Sequence, residues 1–86
     1  MPVRELPPPG WSPPTKVETR ERRKVRFYWI RAVLGMTQQE VAEHYDVDPR
    51  LWRYYERDGT RPGHDLVAKI AEETGFSPAW ILGEVD

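Results

Sequence analysis

Residues 49–57 carry Arg50, Arg53, Tyr54 and Arg57 at spacings of three, one and three. On a helix turning about 100° per residue, these four side chains share roughly a quarter of the circumference, and Trp52 and Tyr55 fall on the other side. A cationic, donor-rich face backed by an aromatic one suits a polyanion. Guanidinium groups pair bidentately with guanine O6 and N7 or with phosphate oxygens, and the major groove of B-DNA admits one α-helix. The chemistry expected of this segment is recognition of double-stranded DNA. Asp48 supplies a capping side chain and Pro49 occupies the first helical position, where a missing N–H costs nothing.

Other chemistries find little footing. The two histidines, His44 and His64, lie 20 residues apart without a spaced carboxylate or cysteine partner. Neither has the i, i+4 arrangement that builds a metal site. There is no cysteine, hence no disulfide and no thiolate metal site. The glycines are read as helix caps, not as a phosphate-cradling loop. The four tryptophans could form a stacking platform for single strands, but at helical spacing they are read as core. No catalytic residue, metal, cofactor or small-molecule ligand is expected.

The elements that must position the arginines follow from caps. Thr15-x-x-Glu18 and Thr37-x-x-Glu40 both fit a capping box, and Ser77-Pro78 repeats the Asp48-Pro49 pattern. With Gly35, Gly59, Gly63, Gly75 and Gly83 near the ends, helices are expected at about 16–34, 37–45, 49–57, 64–74 and 77–82. No alternating strand pattern competes, and the fold class is all-α. Two short helices joined by Tyr45, Asp46, Val47 and Asp48 make a helix-turn-helix, whose second helix projects from the body. Residues 1–14 hold six of the nine prolines, a composition that is expected to allow neither a helix nor a central strand. They are expected to be an extended proline-rich arm, with residues 15–86 as the folded domain.

Charge is distributed unevenly. Residues 15–61 hold eleven Lys/Arg against eight Asp/Glu, and residues 62–86 hold one against five, within a chain of formal charge −1. A basic middle and an acidic end suggest one side facing a polyanion and another facing elsewhere. At 86 residues the chain suffices for one small domain. Nothing resembles a signal core or the ~20 apolar residues of a membrane span, so a cytoplasmic, nucleoid-associated protein is expected.

The order of residues from about Arg23 to Gly83 resembles the Cro and phage-repressor type of helix-turn-helix domain, the XRE family. The matching positions are Arg31 four before Gly35; Met36-Thr37-Gln38 opening the second helix; and Val41-Ala42 inside it. They continue with Val47 in the turn, Glu56 closing the third helix, Arg61-Pro62, Ile70-Ala71, Phe76-Ser77, and Trp80-Ile81-Leu82-Gly83. The resemblance implies a five-helix, lambda-repressor-like domain. It implies that Gln38 hydrogen-bonds a DNA phosphate, that Arg50, Arg53 and Tyr54 face base edges, and that Arg57, Thr60 and Arg61 clamp the backbone. It also implies that Arg31 and Glu56 form a buried ion pair. Three positions depart from the family pattern. Pro49 stands where a base-reading side chain is common, Asp46 replaces the usual turn glycine, and Trp52 fills a core site usually held by a smaller aliphatic residue, with Tyr45 and Tyr55 adding bulk.

The function expected is that of a sequence-specific transcriptional regulator, a repressor of bacterial or phage type, reading a palindromic operator as a homodimer with helix 49–57. The alternative is a protein-interaction module that keeps the fold without binding DNA. In the first helix the family pattern turns Phe27, Ile30, Arg31 and Leu34 inward, which leaves Tyr28, Trp29, Ala32 and Val33 as an apolar opposite face. Such a patch invites cover, either from the arm through Leu6 and Trp11 or from a second subunit.

Overall fold

The computed structural model describes residues 14–86. The proline-rich arm, with Leu6 and Trp11, lies outside the described residues, apart from Pro14. The described chain is all-helical: α1 (Lys16–Leu34), α2 (Gln38–His44), α3 (Pro49–Asp58), α4 (His64–Thr74) and α5 (Pro78–Ile81). It contains no strand among these residues, and none of its helices is long and apolar enough to cross a membrane.

Four of the five helices start where a side-chain oxygen takes an orphaned backbone N–H. Thr37 and Glu40 complete a reciprocal box: Glu40 N–H donates to Thr37 Oγ1 at 3.1 Å, and Thr37 N–H donates to Glu40 Oε1 at 3.0 Å. Asp48 accepts from Arg50 N–H at 2.8 Å and Ser77 from Trp80 N–H at 3.1 Å. At Thr15 only half of the expected box forms. Its Oγ1 accepts from Glu18 N–H at 3.1 Å, and the Glu18 carboxylate does not return the bond. The arrangement at α4 differs, since Gly63 precedes it with no side-chain cap.

The α2–α3 connection turns at Asp46, whose φ of 57° makes it the sole left-handed non-glycine among the described residues. A short polar side chain carries less of the left-handed penalty than a bulky one. The turn closes through Val47 N–H to Ala42 O at 2.9 Å and Asp46 N–H to Glu43 O at 3.2 Å.

The core is built around Trp52, which is fully buried. Phe27 of α1 meets its ring at 5.1 Å between centroids and Tyr55 at 5.0 Å, while Tyr45, the C-cap of α2, stacks on Trp52 at 6.2 Å. Ile30, Val41, Ala42, Leu66, Val67, Ile70 and Ile81 complete the cluster. The bulk at Tyr45, Trp52 and Tyr55 is thus accommodated by aromatic packing, and offset or tilted ring pairs add to simple area burial. Of the other tryptophans, Trp80 is half-buried against the cluster and stacks on Phe76, and Trp29 is 49% exposed. Trp11 lies outside the described residues.

Tyr45 contains an anomaly. Its hydroxyl is buried without a hydrogen-bond partner in acceptable geometry. Burial first, and the nearby Glu73 carboxylate second, push the phenol up to about 12. A buried unpaired hydroxyl contributes nothing that its removal would lose. Tyr45→Phe is therefore expected to leave stability unchanged or raise it by up to about 1 kcal/mol at neutral pH. Because the folded value lies above the ordinary one of about 10, ionisation costs no stability below that pH, and the chain loses stability as pH rises from there through about 12. The phenylalanine variant should lose less stability over that window. Urea unfolding at pH 7 and pH 11 measures both effects, and a loss above ~1 kcal/mol at pH 7 would mean that the hydroxyl is bonded after all.

Candidate nucleic-acid interface

Arg50, Arg53, Tyr54 and Arg57 all lie exposed on α3, with Trp52 and Tyr55 buried on its other side. The division expected from 100° spacing is therefore the one observed. Two of the three charges on this face are paired, however. Arg50 donates through Nε to Asp48 Oδ1 at 3.4 Å and through Nη2 to Oδ2 at 3.3 Å. Arg57 donates in the same manner to Asp58, at 3.0 and 2.8 Å, and its guanidinium lies 4.8 Å above the centre of the Tyr54 ring. Hydrogen bonding by these arginines holds both carboxyls below the usual carboxylate range, and the carboxylates in turn raise both guanidiniums. Arg53 has no carboxylate at pairing distance among the described residues.

The remaining sequence-derived positions separate into groups. Gln38 is half-buried as the first residue of α2. The cap there takes Glu40 N–H, and the Glu40 carboxylate returns to Thr37 N–H at the same end of the helix. Thr60 and Arg61 are exposed in the α3–α4 loop. Arg61 reaches Glu84 at 3.4 Å and lines a cleft with Lys16, Arg20 and Arg23. Arg31 and Glu56 meet as expected: Nε donates to Oε2 at 2.9 Å and Nη2 to Oε1 at 3.0 Å. Tyr28, Trp29, Ala32 and Val33 are all exposed on the far face of α1, and Trp29 stacks loosely on Trp80 at 6.2 Å.

Two arginines were not singled out by sequence, and they change the accounting of charge. Arg23 and Arg26 are buried. Arg23 Nε donates to Gly59 O at 2.9 Å and its Nη1 to Leu82 O at 3.1 Å; Arg26 Nη1 donates to Trp80 O at 2.8 Å and to Val85 O at 2.6 Å. Gly59 and Leu82 are the C-caps of α3 and α5, so these guanidiniums satisfy carbonyls at the negative ends of two helices. Burial, then the charges of Arg61 and Arg20, lower the Arg23 guanidinium from its ordinary value; burial, then Arg22, lowers that of Arg26. Part of the basic surplus of residues 15–61 therefore works inside the fold and does not face a polyanion. The available signal was periodicity, since Arg23 and Arg26 continue the inward stripe of Phe27 and Ile30 by one turn.

The absence of a carboxylate partner expected for His44 is corrected. Its Nε2 lies 2.7 Å from Glu73 Oε2, a pairing between α2 and α4 that spacing along the chain does not reveal. No cluster of three or more metal-ligating side chains exists among the described residues. The chain matches no protein-family model, no curated protein and no solved structure at a significant level.

Proposed function

We propose that the protein is a sequence-specific double-stranded DNA-binding regulator, in which α2 and α3 form a helix-turn-helix and α3 enters the major groove. The observation that carries this reading is the division of α3, with Arg50, Arg53, Tyr54 and Arg57 exposed and Trp52 and Tyr55 buried. Support also comes from the short turn at Asp46 and the position of Gln38 as the first residue of α2. On this reading the class is that of Cro and phage repressors, and regulation follows from occupancy of an operator. A homodimer on a palindrome with half-sites about 10 bp apart supplies the contacts that one short helix lacks. Gln38, Arg57, Thr60 and Arg61 hold the backbone, and a cytoplasmic, nucleoid-associated location follows from the role.

Selection from randomised duplex DNA, followed by gel shift at two salt concentrations, tests the proposal. Arg50→Ala and Arg53→Ala are each expected to weaken specific binding by about 1 to 3 kcal/mol. Arg61→Ala is expected to weaken all sequences alike and to reduce the salt slope by about 1. Wild-type affinity and selectivity in both α3 variants would rule out groove reading. A second reading, an interaction module without DNA binding, is favoured by the exposed strip of Tyr28, Trp29, Ala32 and Val33. The same selection decides for it if no duplex is enriched.

A further inference from the structure

We infer that Asp48 is a specificity-determining positioning residue, which grips one edge of the Arg50 guanidinium and leaves the opposite edge to read a guanine. The inference rests on the DNA-binding reading of α3. A guanidinium has a side edge, formed by Nε and one terminal nitrogen, and an end edge, formed by Nη1 and Nη2. Arg50 spends its side edge, Nε and Nη2, on the two oxygens of Asp48. What remains is the end edge, a pair of parallel donors that matches guanine O6 and N7.

The gripping carboxylate is itself fixed. Asp48 Oδ1 accepts the backbone N–H of Arg50 at 2.8 Å as the N-cap of α3, so the anchor belongs to the helix frame. Such an exposed pair adds little to stability. Its effect lies in orientation, because a long side chain that stays in one geometry loses less freedom on binding. Arg57 and Asp58 repeat the side-edge arrangement at the other end of α3 with shorter bonds, and Tyr54 lies under the guanidinium. Arg53 has no such partner among the described residues.

The carboxylate also acts through its charge. With α3 in the groove and a phosphate at an assumed separation of ~6 Å, an Asp48 oxygen would repel it in water by an amount equal to about threefold in affinity. This repulsion opposes every duplex equally, whereas the aligned end edge helps only the duplex with a guanine in place. Asp48 therefore lowers non-specific binding and raises base preference together. A residue with a purely structural role would not move the two in opposite directions.

The test uses the full chain, the duplex recovered by selection, its single-base variants at each position, and an unrelated duplex. Asp48→Asn keeps the helix cap, since asparagine caps as well as aspartate, and thermal melting verifies it. The expected result is about a threefold gain for the unrelated duplex and about a tenfold loss of preference for guanine at one position. In an Arg50→Lys background, where no planar fork exists, Asp48→Asn should leave base preference unchanged. Asp58→Asn should raise non-specific affinity without altering the position read by Arg50. If the wild-type chain selects a duplex and Asp48→Asn retains both its base preference and its weak non-specific binding, the role of Asp48 is refuted while DNA reading stands. If the wild-type chain enriches no duplex, both fall together.

Discussion

Glu56→Ala is expected to lower the free energy of unfolding by about 3 to 5 kcal/mol, the cost of leaving a partner charge stranded in a largely buried pair. The side chains of Arg31 and Glu56 are 20% and 9% exposed, which places the pair nearer the buried limit than the surface one. Glu56 has a second duty. Its Oε2 accepts from Trp52 Nε1 at 2.6 Å, so the central aromatic of the core depends on the same carboxylate. Arg31 also donates to Met36 O at 3.3 Å, which ties the α1–α2 corner to the pair.

Three variants separate these contributions. Glu56→Gln keeps an acceptor for Trp52 and removes only the charge, so it should cost less than Glu56→Ala. Arg31→Met strands Glu56 but leaves it the Trp52 bond. The double variant Arg31→Met with Glu56→Gln should cost clearly less than the sum of its parts, because each single change leaves an unpaired group that the second relieves. Chemical unfolding of the set measures the coupling. Additive losses below ~1 kcal/mol would show that the two groups act as ordinary surface charges.

A loss of comparable size is expected at Gly59. Its φ of 68° lies in the left-handed region, and a Cβ built there would fall inside contact distance of the Arg20 carbonyl oxygen and Cγ on α1. Left-handed strain costs about 1 to 3 kcal/mol, and overpacking a close helix contact adds about 1 to 3 more. Gly59→Ala should therefore cost about 2 to 6 kcal/mol. Gly83 is in the same position, with φ 78° and the Thr19 carbonyl oxygen in the way.

Gly35 supplies the control. It has the same φ of 68° but nothing within 4 Å of a built Cβ. Gly35→Ala should show the conformational part alone, about 1 to 3 kcal/mol. Equal losses at Gly35 and Gly59 would mean that α1 can move aside without cost. The comparison also bears on function, because Gly59 ends α3 and its carbonyl accepts from Arg23. A displaced α1 would shift Thr60 and Arg61 relative to the arginines of α3, and on the DNA-binding function proposed above, affinity for duplex DNA should fall along with stability.

The features legible from residue order alone are those decided within about one helical turn. Thr37 with Glu40, Asp48 with Pro49, and Ser77 with Pro78 mark helix starts, because a side-chain oxygen and a backbone N–H two or three residues on meet whenever the chain turns. The split of α3 into a cationic face and an aromatic face is local in the same sense. Tertiary structure decided what those local pieces meet. His44 finds Glu73 across 29 residues, Arg23 caps α3 and α5 across 36 and 59, and Arg61 faces Glu84 across 23. None of these separations has a periodicity to betray it, because they depend on how helices pack. The close approach of Gly59 and Gly83 to α1 is of the same kind. In sequence these two glycines look like any helix-ending glycine, and only the carbonyl of a neighbouring helix makes a single added methyl group costly.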